Sequence, residues 1–116
     1  MIRPDPSTAV YLYAEPVDMR KSIDGLALLV EQELDLSPFS PALFVFCNRG
    51  RDKIKLLYWE RNGFVLWYKR LEKFRFYWPG GDLEQPLTGL ELNRLLDGYD
   101  LRPPTPHPAL RYSTIA

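Results

Sequence analysis

A hairpin signal in the middle of the chain constrains its fold more than any other feature. Two runs rich in β-branched and aromatic residues, 53–59 and 64–71, flank the dipeptide Asn62-Gly63. A two-residue type I′ turn needs a positive φ at both central residues, and Asn-Gly is a pair that adopts it readily. The sequence therefore predicts an antiparallel hairpin with Asn62 and Gly63 as its turn.

This turn would fix the register and hence the two faces of the hairpin, because side chains alternate along a strand. It would pair Lys55 with Arg70 and Leu56 with Lys69, whereas a longer loop with a bulge would shift the register. The mostly apolar face, expected to pack on helices, carries Ile54, Leu56 and Tyr58 opposite Leu71, Lys69 and Trp67. The other face, expected to meet solvent or a partner, carries Lys53, Lys55, Leu57, Trp59 and Arg61 opposite Glu72, Arg70, Tyr68, Leu66 and Phe64.

Three further strands and two helices are predicted outside the hairpin. The strands are 8–14, 42–47 and 74–78, each rich in β-forming residues. The first helix follows Asp18 or Ser22 as N-cap, and its apolar residues recur with a helical period: Ile23, Leu26, Ala27, Val30 and Leu34. The second helix has the capping-box spacing of Thr88 and Glu91, with Gly98 at the C′ position.

These elements predict an α+β fold, a small antiparallel β-meander of four to five strands packed against two helices. The predicted domain spans 1–100. The segment 101–116 has four prolines within 102–108 and is expected to be an extended tail.

The charges balance overall but are unevenly distributed. The chain has 15 Lys and Arg and 15 Asp and Glu, yet residues 49–75 contain nine basic and three acidic side chains. Twelve of the sixteen aromatic residues lie within 39–78. Cations interleaved with aromatic rings suit a surface that holds phosphates while it stacks on bases. The alternative is that the rings form the core and the cations are a solvated face.

We therefore take the cations of this region as candidate DNA-binding residues: Arg49, Arg51, Lys53, Lys55, Arg61, Lys69, Arg70, Lys73 and Arg75. Trp59 and Tyr68 are candidates for stacking on unpaired bases. Arg20 and Lys21, beside a helix start, could hold a phosphate, because helix N-termini attract anions. The alternative for them is that Asp18 caps the helix and both cations are solvated.

The sequence gives no argument for an enzyme. One Cys and one His cannot build a tetrahedral zinc site, and the carboxylates form no metal-binding pattern. Cys47 lies in an apolar run, so a buried thiol is expected. We find no phosphate-binding loop or dinucleotide fingerprint, and we expect no cofactor or metal. With no leader and no membrane span, the expected location is the cytoplasm.

Three segments carry a resemblance to a known family: VDMRKSIDGL at 17–26, FVFCNRGR at 44–51, and LYWERNGF at 57–64 followed by LWYKRLE at 66–72. Over about 2–100 the chain resembles the accessory TnpB proteins, products of the second open reading frame, of insertion sequence 66 elements. The resemblance implies a role in transposition beside a larger transposase, and it transfers no catalytic residues.

Two functions fit these observations. The first is a non-catalytic factor that binds DNA or assembles the transposase complex through its basic-aromatic sheet face. The alternative is a protein-interaction subunit that binds the transposase and not DNA. The expected partners are the transposase, other proteins of the same element, and DNA. An exposed edge of an antiparallel sheet would also allow a homodimer.

Overall fold

The computed structural model describes residues 5–79 and 86–101, which form two helices and five strands. In chain order these are β1 (Ala9–Leu12), α1 (Ile23–Glu33), β2 (Leu43–Cys47), β3 (Lys53–Glu60), β4 (Gly63–Arg70), β5 (Leu87–Thr88) and α2 (Gly89–Leu96). The predicted α+β class and both helices are confirmed. The capping box of α2 is present as predicted, and Gly98 follows the helix with a φ of 95°.

The five strands form one sheet in the order β4-β3-β2-β1-β5. All neighbours are antiparallel except β1 and β2, which are parallel because α1 crosses over between them. The order leaves β4 and β5 at the edges. The homodimer suggested by an exposed edge stays a prediction.

The two helices lie on opposite faces of the sheet. Leu26 and Val30 of α1 pack against Phe44, Phe46 and Leu57. The leucines of α2 pack on the other face, in one cluster with the buried residues Val10, Leu43, Val45, Ile54 and Leu56. All five residues of β2 are buried because both helices cover this strand. We expected the hairpin face that carries Leu57 to meet solvent or a partner. This expectation was wrong in part, since α1 covers Leu57.

The hairpin forms, but its turn lies one position earlier than predicted. Glu60 pairs with Gly63, so the turn residues are Arg61 and Asn62, and Arg61 takes the left-handed φ of 53°. Lys55 pairs with Tyr68, and Leu56 pairs with Trp67. This two-residue shift keeps every side chain on its predicted face. It also places Trp67 opposite Leu56, where the predicted register had Lys69.

The predicted strand at 74–78 is absent, and the two-residue strand β5 was not predicted. The segment 71–79 follows the hairpin without strand pairing, and side-chain burial anchors it instead. Phe76 is 3% exposed, and the Trp78 indole Nε1 donates to the Tyr13 carbonyl oxygen (3.2 Å). This segment therefore packs as a strap over one end of the sheet.

Neither helix of the described residues is long and apolar enough to span a membrane. The predicted tail, 101–116, lies outside the described residues except for Leu101. That residue packs against the apolar cluster around α2.

Candidate nucleic-acid interface

Lys55 joins two basic segments that are far apart in the sequence. Its Nζ atom donates hydrogen bonds to the carbonyl oxygens of Met19 (2.7 Å) and Lys21 (2.9 Å), in the loop before α1. The N–H of Val17 also ties this loop to the sheet by donating to the Cys47 carbonyl oxygen (2.9 Å). The loop 13–22 therefore lies against the end of the sheet where β2 turns into β3.

Asn48 organises the turn between β2 and β3, residues 48–52. Its Oδ1 accepts hydrogen bonds from the N–H groups of Asp52 (3.1 Å) and Lys53 (3.0 Å), and its Nδ2 donates to Asp52 Oδ1 (2.7 Å). The Asn48 side chain is the main reason why the pKa of Asp52 is lowered. Residues 16–19 and this turn line a small pocket of about 460 Å³. A rigid turn thus holds Arg49 and Lys53 beside the loop 13–22.

We call the cations gathered here the basic cluster. It includes the cross-strand pair of Lys53 and Arg70 at the end of the hairpin. Its members are Arg20, Lys21, Arg49, Arg51, Lys53, Lys55 and Arg70. Three more predicted residues, Lys69, Lys73 and Arg75, line an open groove of about 1010 Å³ at the same end of the hairpin. Ten of the eleven predicted cations therefore lie at this end of the hairpin, and Arg61 is the exception.

Three members of the cluster are ion-paired at the surface. Arg20 Nη2 lies 2.7 Å from Asp18 Oδ2, and this bidentate contact is the main reason why the pKa of Asp18 is lowered to about 2. Arg70 pairs with Glu72 (2.9 Å), and Lys53 pairs with Asp52 (3.4 Å). Exposed pairs of this kind contribute only about 0–1 kcal/mol, so a phosphate can replace the carboxylate at low cost.

At this end of the sheet, four other cations are exposed and form no ion pair with another residue of 5–79 or 86–101. They are Lys21, Arg49, Lys73 and Arg75. A polyanion can therefore bind them without breaking an ion pair between described residues. Arg49 is the best-positioned of the four for binding an anion, because the hydrogen bonds of Asn48 fix the backbone of its turn.

Lys55 and Arg51 are half-buried and act within the protein. Lys55 uses two of its three donors on the loop carbonyls and lies 5.7 Å from the Tyr68 ring centroid. The Arg51 guanidinium lies 5.8 Å from the Trp78 ring centroid, and its Nη1 is buried without a hydrogen bond to a described residue. Cys47 is buried as predicted. Burial raises the pKa of its thiol, and the nearby Arg51 charge opposes this change.

Arg61 lies apart from the other candidates. It is exposed in the hairpin turn, at the opposite end of the eight-residue strand β3 from Lys53. At about 3.3 Å per residue, the length of the strand puts these two backbone positions roughly 25 Å apart. That distance exceeds the Debye length of about 8 Å at physiological salt, so Arg61 adds little to the field of the basic cluster.

The two predicted stacking residues have different surroundings. Trp59 packs between Phe39 and Phe64, with ring centroids 4.9 Å and 5.0 Å away, so its ring is committed to a half-buried aromatic cluster. The Tyr68 ring is half exposed beside Lys55, at the basic end of the sheet. Tyr68 therefore remains accessible to a ligand, whereas Trp59 supports the hairpin.

Sequence reasoning missed two exposed aromatic residues beside the basic cluster. Phe74 is 88% exposed and Tyr77 is half exposed. Both lie in the segment that we predicted as a strand, in which Phe74 and Phe76 would share one face. The sequence feature that could have indicated their exposure is the alternation of Lys73 and Arg75 with aromatic residues. This alternation fits an exposed loop better than a strand.

No group of three or more His, Cys, Asp or Glu residues in the described ranges could hold a metal ion. Three acidic residues, Asp18, Asp52 and Glu72, instead pair with cations of the basic cluster, each within 4.0 Å. This end of the protein presents cations and the exposed aromatic rings of Tyr68, Phe74 and Tyr77.

Comparisons with known proteins identify relatives over nearly the whole chain. The family model described as IS66 Orf2 like protein matches residues 8–106. The chain is 34% identical over 107 residues to the uncharacterized protein y4hO of Sinorhizobium fredii, which covers 90% of this chain and 91% of the relative. It is 33% identical over 79 residues to the uncharacterized protein y4jC of the same organism, which covers 68% of each chain. No solved structure matches the chain.

Proposed function

The chain belongs to the IS66 Orf2-like family, and from this premise we propose that it is a non-catalytic accessory factor that binds DNA through its basic cluster. Membership of the family gives the chain a role in the transposition of an insertion-sequence element. The proposal concerns what the protein contacts in that process. It assigns the chemistry of strand transfer to the transposase and the holding of DNA to this chain.

The observation that carries the proposal is the contact of Lys55 with the loop 13–22. It brings Arg20 and Lys21 beside the turn that displays Arg49. Cations from two distant segments thereby share one end of the sheet, close to the hairpin pair of Lys53 and Arg70. A surface with several cations and few unpaired carboxylates attracts a phosphate backbone without regard to sequence.

The expected affinity depends strongly on salt. Each cation that neutralises a phosphate of duplex DNA releases counterions, so log K falls by about 0.9 per contact for each tenfold rise in salt. Lys21, Arg49 and the exchangeable Arg20 and Arg70 would together give a slope of roughly −3 to −4.

Fluorescence anisotropy with labelled duplex from the element ends tests the proposal. Arg49→Gln should weaken binding and flatten the salt slope by about 0.9. Arg61→Gln is the matched control, since it removes the same charge from an exposed turn at the other end of the hairpin. Equal effects of the two substitutions, or no binding by the unaltered protein at low salt, would refute the proposal.

A second candidate function, binding to the transposase instead of DNA, is favoured by the aromatic cluster near the hairpin turn. Phe39 is 57% exposed and contacts both Trp59 and Phe64, with Arg61 in the adjacent turn. Aromatic residues and Arg dominate binding hot spots at protein interfaces. Capture of the transposase after nuclease treatment, lost in Phe39→Ala and kept in Arg49→Gln, would support this candidate.

A further inference from the structure

Residues 72–75 form a loop whose two ends are fixed to the same turn of the sheet. The N–H of Leu71 donates to the Asp52 carbonyl oxygen (2.7 Å), and the N–H of Phe76 donates to the Arg51 carbonyl oxygen (2.7 Å). Phe76 is also buried in the core. Adjacent residues of the turn 48–52 therefore hold both ends of the loop, and the residues between them project from the sheet.

The tip of this loop is an aromatic side chain in an unfavourable position. Phe74 is 88% exposed and has a φ of 50°, in the left-handed region that non-glycine residues rarely adopt. Neither burial nor backbone preference accounts for a Phe here, since Gly or Asn would suit the same backbone better. A strained and exposed large aromatic residue on a firmly held loop is typical of a contact surface.

Positive charge flanks this aromatic residue on both sides. Lys73 and Arg75 are exposed and line the same groove as Phe74 and Tyr77, whose ring is also half exposed. The opposite wall is the end of α2, to which Lys69 is tied by a hydrogen bond from Nζ to the Leu96 carbonyl oxygen (3.0 Å). The groove thus combines two accessible rings with Lys73 and Arg75, which have no ion-pair partner among the described residues. Its lining also includes the carboxylates of Asp52, Glu72 and Asp97.

We propose that the loop 72–75 binds an unpaired base of single-stranded DNA, which stacks on Phe74 while Lys73 and Arg75 contact the flanking phosphates. This inference rests on the proposed DNA-binding function and adds to it a second contact, with a distinct ligand. The base offers a π-face to Phe74, and the backbone offers charges on both sides of that base. An apolar pocket of a protein partner fits less well, because burying Phe74 in it would desolvate the neighbouring cations.

The test compares two DNA probes, a blunt duplex and the same duplex with a short single-stranded overhang that contains 2-aminopurine. Stacking on Phe74 should quench the 2-aminopurine fluorescence. Phe74→Ala should abolish this quenching and weaken binding to the overhang probe by roughly 5- to 100-fold, the usual effect of losing one stacked base. Binding to the blunt duplex should stay unchanged. Phe74→Trp should restore both quenching and affinity.

Leu28→Ala is the matched control, since it shortens an exposed apolar side chain on α1, away from the loop. It should change neither signal. If Phe74→Ala binds the overhang probe as tightly as the unaltered protein, the inference is overturned and the proposed DNA binding stands. If Phe74→Ala instead loses capture of the transposase while it keeps all DNA binding, the loop binds protein. Failure of the unaltered protein to bind either probe would overturn the proposed function itself.

Discussion

Lys53 and Arg70 lie directly opposite each other across the β3–β4 hairpin. Like charges in a cross-strand pair destabilise a sheet by a few tenths of a kcal/mol. Here each cation has its own carboxylate partner, Asp52 for Lys53 and Glu72 for Arg70. The pair adds little to stability, and its position at the basic end of the sheet agrees with a role in binding an anion.

Arg70→Thr should therefore separate stability from binding. The substitution removes the repulsion from Lys53 together with the exposed pair to Glu72. We expect the free energy of unfolding in urea to change by less than about 0.5 kcal/mol, because these surface effects are small and opposed. The affinity for duplex DNA should fall. A loss of several kcal/mol in stability would instead give Arg70 a structural role.

Lys55→Met should show the reverse pattern. It keeps most of the aliphatic stem but leaves the carbonyl oxygens of Met19 and Lys21 without their donor. Hydrogen bonds from charged groups contribute about 1.5–3 kcal/mol each. The free energy of unfolding, measured in urea, should therefore fall by roughly that amount. Lys21→Met, which removes an exposed charge, is the control. Equal stability of the two variants would show that the contact with the loop is unimportant.

Asp18→Asn tests the ion pair with Arg20. The pKa of Asp18 is lowered from 3.8 to about 2, chiefly by its hydrogen bonds to Arg20. The carboxylate therefore stabilises the folded protein above pH 3.8, and this contribution is lost as the pH falls through about 2. The variant should lose less stability than the unaltered protein over this pH range. It should also bind duplex DNA more tightly at neutral pH, because Arg20 is then free. Parallel pH curves for the two proteins would contradict this prediction.

We predict opposite effects on stability for substitutions of two phenylalanines in the strap, residues 71–79. Phe74→Gly should leave the free energy of unfolding unchanged or raise it by up to about 1 kcal/mol, since glycine tolerates a positive φ. Phe76→Ala should lower it by about 3–5 kcal/mol, since Phe76 fills the core. Chemical denaturation of both variants measures these values. A large loss for Phe74→Gly would show that its ring has a structural function.

Local patterns predicted the helices and the existence of the hairpin, because each depends on neighbouring residues. The apolar period from Ile23 placed α1, and the capping box at Thr88 placed the start of α2. The turn position was wrong because Asn62-Gly63 is only a local preference. In the structure, Leu57 pairs with Leu66 and Trp59 pairs with Phe64. This register puts Arg61, and not Gly63, in the turn, where Arg61 has a left-handed φ.

The candidate site was predictable in composition but not in arrangement. Counting charges identified Arg49 and Lys53, yet no local pattern indicated that Lys55 would bind the loop at Met19, 36 positions away. The segment at Phe74 looked like a strand by its alternation. Its ends bond instead to the turn at Arg51 and Asp52, a contact that only the tertiary fold creates.

The most direct test of the account is a map of backbone amide chemical-shift changes in the ¹⁵N-labelled protein when duplex DNA is added. The changes should concentrate in the loop 13–22 and the turn 48–53, at the basic end of the sheet. The turn at Arg61 and Asn62 should stay unchanged and serves as the internal reference. Changes centred on that turn, or changes spread evenly over the surface, would contradict the claim that the basic cluster is where this protein binds DNA.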